Sequence, residues 1–433
     1  MLKKIIKKIV IFLLTLEARL ILKKYKPEII AVSGTVGKTS SKDAIAIVLS
    51  SKFYVRKSEK SYNSEFGVPL TIIGVKSAWN NIFQWPLVLL KGLKVLMIKS
   101  NYPRILVLEM GVGKPHDMEE LISKFKPDIG ILTALGEVPV HIENFKEKEE
   151  LIKEKLKLVK SLKKEHYAII NGDDNVIIEN KEKIKADIIS YGFNENVDIK
   201  ASDYHIIFKK EGEHEIAEGI TFKINYKGSI APVKIQGTLG INNVYTALSA
   251  VGVGLVKGLN IVEISELLSR YKPPPGRLNL IEGIKNSQIL DDTYNSSPLA
   301  ASVAIETMKD LPAKRKIAVL GDMLELGKYT IEEHKKLGRL VKDIADILVV
   351  IGPRSIFISD EAEVVGFNKK KIRKFSDSKE AGLELKKIIK EGDIILVKGS
   401  QAIRMERVVE EIMAHPENKE NLLVRQEKEW QNR

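Results

Sequence analysis

The chain has 433 residues, a net charge of +13 from 70 Lys and Arg against 57 Asp and Glu, and no cysteine. Without cysteine, disulfides, thiolate zinc sites, iron–sulfur clusters and cysteine nucleophiles are excluded, and any metal must be held by oxygen or imidazole, which favours Mg²⁺. The positive charge is compatible with anionic partners such as nucleotides, phosphorylated substrates or a membrane surface, but Lys interleaved with Glu assigns most of it to a solvated surface; with no nucleic-acid motif or aromatic-basic ladder, nucleic acid is not expected.

Residues 1–28 read as a basic amphipathic helix. Lys3, Lys4, Lys7 and Lys8 stand beside Ile5, Ile6, Ile9, Phe12 and Leu13, a pattern suited to a membrane interface or to packing on the first domain. The longest uncharged apolar run, Ile9 to Leu16, has eight residues, far short of the about 20 that span a bilayer. There is no small-residue cleavage site, so a signal peptide is a poor fit and a cytoplasmic protein is expected.

Ile29 to Ser40, IIAVSGTVGKTS, reads as an apolar strand, a Gly-rich turn and the start of a helix. Gly34 and Gly37 allow a tight turn whose N–H groups, with those of Thr35 and Ser40, face phosphate oxygens. Lys38 supplies a cation for the β/γ-phosphates, and the Thr39 hydroxyl is placed to ligate Mg²⁺. Val32 occupies the position of the first Gly in the longer form of this loop. A second apolar and basic segment, Trp79 to Lys99, contains Pro86, Lys91 and Lys94, which argue against spanning. The two segments together are compatible with peripheral membrane contact.

Arg104 to Met110 and Asp128 to Thr133 read as buried parallel strands. Glu109 ends the first of these, where P-loop NTPases place a Mg²⁺-binding acid, and pairs naturally with Thr39. His141 follows in a loop, and Lys155 lies on a charged helix from Glu147 to Lys163; composition alone singles out neither. A strand at Tyr167 to Asn171, an antiparallel insert from Asp198 to Gln236 and a helix from Asn242 to Leu255 complete a first domain, 29–272. Pro273 to Arg277, PPPGR, reads as a linker, with Arg277 either a surface residue or a phosphate contact across a cleft.

Residues 273–433 read as a second, Rossmann-like unit with strands in QILDD, KIAVLGD, DILVVIG and DIILVKGS. Helices are expected near Thr330, with a capping box to Glu333, near Ser378 and after Ser400. Asp291 and Asp292 close a strand where open α/β sheets bind ligands, and Asp292 suits ribose hydroxyls or a cationic group. Lys398 to Ser400 forms a strand-to-helix turn able to receive an anion. His415 to Arg433 is expected to be a polar, loosely ordered or helical tail.

Together these blocks resemble the Mur ligase family of ATP-dependent amide ligases, from about Ile29 to Met413. GTVGKTS is similar to the family P-loop, YNSEFGVPLT (Tyr62 to Thr71) to a segment that carries Asn63, and LEMG (Leu108 to Gly111) to the block with the magnesium-ligating Glu109. HIENF followed by KEK is similar to the family's His and downstream lysine. LGINNVYTALSA (Leu239 to Ala250) is similar to the adenine-side motif, with Asn243 on the family's Asn. PGRLN, LDDTYNSSP, VLGDMLELG and LVKGS are similar to the C-terminal signatures.

The resemblance implies an α/β fold with a P-loop ATPase domain and a Rossmann-like domain. It implies a cytoplasmic ligase of cell-wall precursor synthesis, expected as a monomer, that uses ATP and two Mg²⁺ ions. One ion would sit with Thr39 and Glu109, and the second with His141 and a carbamylated Lys155. Arg277 and Asp292 would complete the nucleotide site on closure; Asn63, Asn295, Lys398 and Ser400 would face substrate. The GVPLT and DDTYN blocks favour the branch that adds D-alanyl-D-alanine to a UDP-N-acetylmuramoyl-tripeptide over folate-polyglutamate ligases. Such ligases carry a UDP-sugar-binding domain before the P-loop, whereas here 28 residues precede the strand that begins at Ile29 and leads into that loop. The alternatives are another amino acid, a lipid-linked acceptor, or a membrane-associated nucleotide-binding protein without ligase activity.

Overall fold

The computed structural model describes residues 2–59, 61–78, 81–211 and 214–431. Its first sheet holds β1 (Glu28–Ser33), β2 (Val55–Lys57), β3 (Ile105–Glu109), β4 (Ile129–Leu132), β5 (Tyr167–Asn171), β6 (Asp187–Gly192), β7 (Ile199–Glu211), β8 (His214–Tyr226) and β9 (Ser229–Gln236). The order is β2-β3-β1-β4-β5-β6-β7-β8-β9, parallel as far as β7 and antiparallel beyond it. The central strands β1, β3 and β4 are continuous runs of Ile, Val and Leu because helices cover both faces of a parallel sheet. By contrast β9 alternates exposed and buried residues, the mark of a strand with one solvated face. The antiparallel insert expected from Asp198 to Gln236 is present as β7 to β9, joined to the edge of the same sheet because β7 pairs in parallel with β6 through Tyr191 and Ile199.

The second sheet contains β10 (Asn279–Gly283), β11 (Ser287–Asp292), β12 (Arg315–Gly321), β13 (Ile347–Ile351), β14 (Ile372–Phe375) and β15 (Asp393–Lys398). Its order is β10-β11-β15-β12-β13-β14, with β10 as an antiparallel edge. The architecture is α/β throughout. In register, Val32 of β1 sits opposite Glu109 of β3, and Asp292 of β11 opposite Lys398 of β15. The chemistry-bearing residues therefore gather at the C-terminal ends of strands in both sheets.

The N-terminal segment forms α1 (Leu2–Tyr25), which packs on α3 (Gly67–Ile73) and α4 (Trp85–Met97); α2 (Lys38–Leu49) follows the Gly-rich loop. Val10, Leu14, Ala18 and Ile21 of α1 are buried, so the helix does pack on the first sheet's layer. Among the described residues no helix is long and apolar enough to cross a membrane. Trp79 and Asn80, at the start of the second apolar segment, lie outside the described residues.

One local expectation is corrected. The capping box at Thr330 does not form: the Thr330 hydroxyl donates to the Gly327 carbonyl and Glu333 pairs with Lys336, so the helix Thr330–Val341 starts without a side-chain cap. The tail takes the helical of its two expected forms, with short helices at Lys419–Leu422 and Lys428–Gln431. Leu423 and Val424 are buried, and Arg425 pairs with Glu406 while donating to the carbonyls of Thr293 and Tyr294. A guanidinium that satisfies two loop carbonyls and a carboxylate fixes an otherwise polar segment.

Candidate active site

The turn after β1 owes its shape to glycine. Gly34 and Gly37 have φ of 147° and 87°, and a Cβ on Gly34 would lie 2.0 Å from the Thr133 hydroxyl. The amides of Thr35 and Val36 donate to the Ala134 carbonyl at 2.7 and 3.3 Å, so they brace the loop against β4. The first turn of α2, which includes Lys38, Thr39 and the buried Ser40, has amides suited to an anion. Lys38 Nζ folds back onto the carbonyls of Gly34 (2.9 Å) and Thr35 (3.2 Å). Burial lowers the pKa of Lys38, opposed by Glu109 and reinforced by Arg277.

At the neighbouring strand end, the Thr39 hydroxyl donates to Glu109 Oε2 at 2.9 Å, and Asn63 Nδ2 donates to Glu109 Oε1 at 3.1 Å. Ser61 Oγ lies 3.1 Å from Thr39 Oγ1 and accepts a hydrogen bond from the Tyr294 hydroxyl. The result is a cluster of hard oxygens with one buried carboxylate, a donor set that fits Mg²⁺. Gly111 makes this possible, since a Cβ there would come within 2.8 Å of the Asn63 side chain.

Lys155 lies on α6 (Lys148–Lys160), two helices after α4 with α5 (Asp117–Lys124) between them. Its Nζ donates to Thr35 Oγ1 at 2.9 Å and is 3.5 Å from the Gly34 carbonyl. Burial, then the Lys38 cation, push its pKa well below the ordinary lysine value, and Asp174 offsets this only in part. No carboxylate among the described residues lies within ion-pair distance of it. His141 has φ of 74°, an uncommon conformation for a residue with a Cβ, and its Nδ1 lies 2.6 Å from Glu325 Oε2. That contact holds the Glu325 carboxyl below its usual range, with burial opposing. Glu325 itself has φ of 64°. Among the described residues no three His, Asp or Glu side chains form a ready-made metal cluster.

From the second sheet, the Arg277 guanidinium stacks over the Tyr294 ring at 4.0 Å, while its Nε is buried without a hydrogen-bond partner among the described residues. A cavity of about 790 Å³ is lined by Thr35 to Thr39, Asn63, Glu109 and His141 on one side and by Arg277, Tyr294 and Asn295 on the other. The remaining expected residues lie behind these walls. Lys398 Nζ pairs with Asp292 Oδ2 at 2.6 Å and donates to the Asn295 carbonyl at 3.0 Å. Ser400 Oγ accepts from the Leu324 amide, and Asn243 donates to Thr238 Oγ1 and the Leu239 carbonyl. All four are buried, and they hold the loops that carry cavity residues. Burial dominates the lowering of the Lys398 pKa, with Asp292 opposing.

Sequence reasoning passed over Ser61, Tyr294, Glu325 and Arg425. Tyr294 and Glu325 stood inside the DDTYN and DMLELG blocks without a role, and Ser61 immediately preceded YNSEFGVPLT. Arg425 carried no signal, being one basic residue in a polar tail.

Residues 32–254 match the family described as Mur ligase middle domain, and residues 276–401 match Mur ligase, glutamate ligase domain. The UDP-N-acetylmuramoyl-tripeptide–D-alanyl-D-alanine ligase of Bacillus subtilis (strain 168) is 27% identical over 403 residues, covering 92% of this chain and 79% of its own length. The enzyme of the same name from Rickettsia prowazekii is 27% identical over 390 residues, with 89% and 78% covered. The crystal structure of the MurF ligase of Thermotoga maritima in complex with ADP aligns with a TM-score of 0.75 at 26% identity, covering 93% of this chain and 83% of that one. With its middle-domain match alone spanning more than half of its length, the chain belongs to the Mur ligase family.

Proposed function

We propose that this chain is an ATP-dependent amide ligase that joins D-alanyl-D-alanine to the peptide carboxylate of a UDP-N-acetylmuramoyl-tripeptide in the cytoplasm. The observation that carries this reading is the single cavity into which the Gly-rich loop, Glu109 and His141 face Arg277, Tyr294 and Asn295 from the other sheet. The relatives named above supply the substrate class.

In the proposed reaction an acceptor carboxylate oxygen attacks the γ-phosphorus of ATP, the bond to the bridging oxygen of ADP breaks, and an acyl phosphate forms. The dipeptide amine then attacks the acyl carbon and loses a proton, and the tetrahedral adduct expels inorganic phosphate to leave the amide. The chain's own groups act by position and charge. The N-terminus of α2 and Lys38 hold the phosphates, and Arg277, whose buried Nε awaits an acceptor, takes the transferred group. Asn63 and Asn295 are proposed to orient the acceptor peptide. Thr39 and Glu109 would hold a Mg²⁺, which supplies charge neutralisation on the phosphates when bound.

Lys155 is proposed to react with CO₂ as a free amine, forming an N-carboxylate and releasing a proton. A buried lysine with a strongly lowered pKa and no carboxylate partner among the described residues supports that reading, and the carbamate would turn a cation into an oxygen donor for a second Mg²⁺ beside His141. Asp292, Asn243, Lys398 and Ser400 are proposed to act through the loops they hold.

The test is phosphate release from ATP. Release should require both the acceptor and the dipeptide, and Lys38→Ala or Glu109→Ala should lower it by about a thousandfold or more. Hydrolysis independent of the amine, or turnover retained in both variants, would contradict the assignment. A second reading, a lipid-linked muramoyl acceptor, is favoured by the apolar outer faces of α1 and α4. A panel of UDP-linked and lipid-linked acceptors separates the two by product mass.

A further inference from the structure

The N-terminal helix and α4 lie side by side with their C-terminal ends together. Lys24 Nζ donates to the carbonyls of Val95 (3.1 Å), Leu96 (2.8 Å) and Ile98 (3.2 Å), and Tyr25 reaches the same carbonyls of Val95 and Ile98. Farther back along the pair, Gly92 makes room for the Glu17 carboxylate, since a Cβ at Gly92 would lie 1.9 Å from Glu17 Oε2. The inner stripes, Leu14, Ala18 and Ile21 of α1 with Val88 of α4, are buried.

The outer stripes are apolar as well. On α1, Phe12, Leu16 and Leu20 recur at helical spacing and are 66%, 44% and 45% exposed; on α4, Leu87, Leu90 and Met97 are 58%, 59% and 84% exposed. Helices of an ordinary water-facing layer carry polar residues there. A contiguous apolar surface of this kind has an energetic reason to be covered.

Charge identifies what covers it. Residues 2–27 and 81–101 contain eleven Lys and Arg and one acid, Glu17, which is buried between the helices. These two segments therefore carry ten of the chain's thirteen net positive charges. Lys7, Lys8, Arg19 and Lys23 on α1, with Lys91 and Lys94 on α4, are exposed beside the apolar stripes. Apolar side chains rimmed by cations, on helices that do not cross a bilayer, fit an interface of acyl chains and anionic headgroups.

We propose that the outer face of α1 and α4 is an in-plane docking surface for an anionic lipid bilayer. The helix pair rests on the headgroup layer with Phe12, Leu16, Leu87 and Leu90 in the acyl boundary and the lysines among the phosphates. This surface is independent of the ligase chemistry, because none of its residues lines the nucleotide cavity.

The experiment is sedimentation of the full chain with vesicles of phosphatidylcholine alone, or of phosphatidylcholine with phosphatidylglycerol at three to one, at low and high salt. Binding is expected to the anionic vesicles and to weaken with salt. Lys91→Glu with Lys94→Glu should weaken binding at least about tenfold, since each lysine near such a surface is worth about fivefold. Phe12→Ser with Leu87→Ser should weaken it by about a hundredfold at either salt, and as exposed positions they should leave the melting temperature unchanged. Absence of binding, equal binding to neutral vesicles, or indifference to both pairs would overturn the proposal. A dimer that the serine pair dissolves, without vesicle binding, would overturn it in favour of a second copy of the chain.

Discussion

Arg277 and Lys398 illustrate how burial separates residues with the same charge. Arg277 enters the cavity with an unpartnered Nε, whereas Lys398 is wholly engaged by Asp292 and the Asn295 carbonyl. Removing one member of a buried pair strands the other charge, at a cost of about 3–5 kcal/mol. Lys398→Met should therefore lower unfolding free energy by about that amount in denaturant titration, and a change near zero would show that Asp292 is not stranded. Such distinctions were not legible in the sequence, where both residues were simply basic groups near strand ends. Thr39, Glu109 and Lys38 were legible because strand-turn-helix context fixes where their side chains end up. His141 and Lys155 were named from the family resemblance alone, since a loop histidine and one lysine of a charged helix have no local signature.

At the scale of elements, the sequence pattern located the central strands well because buried parallel strands are unbroken apolar runs. Tyr167–Asn171 was read with its observed limits, and Ile105–Glu109 lies within one residue of the expected ends. The alternation from Asp198 to Gln236 marked the antiparallel strands β7 to β9 as well. The failure lies where a neighbour decides, since whether Thr330 caps a helix depends on the Gly327 carbonyl. The loop after β1 shows the reverse case, in which a single residue type carries an element. Gly34→Ala should place a methyl group against the Thr133 hydroxyl and force the loop off β4. ATP affinity, measured by calorimetry, should fall at least about tenfold while stability falls by about 1–3 kcal/mol; unchanged affinity would mean the loop does not hold phosphate.

For the whole molecule, the two sheets meet across the cavity through few charged contacts, chiefly His141 with Glu325 and Lys328 with Glu147. His141 and Glu325 both carry left-handed backbone at this contact, a conformation that costs energy outside glycine. Stability should also depend on pH in a definite sense. Burial raises the carboxyls of Glu17 and Asp291 from 4.5 and 3.8 to about 7, and each has an oxygen without a partner among the described residues. A raised carboxyl pKa means the folded state holds the proton more tightly. Its stabilising contribution is present below the ordinary carboxylate range and is lost as pH rises through about 7. Glu17→Gln should flatten its share of this decline in melts taken between pH 4 and 8, and an unaltered profile would refute its part.

If one cavity activates a carboxylate with ATP and delivers an amine to it, both oxygens of that carboxylate can be followed through the reaction. With the acceptor carboxylate labelled at both positions with oxygen-18, mass spectrometry should find one labelled oxygen in inorganic phosphate and the other in the new amide. Phosphate free of label, with its oxygen drawn from water, would rule out an acyl phosphate.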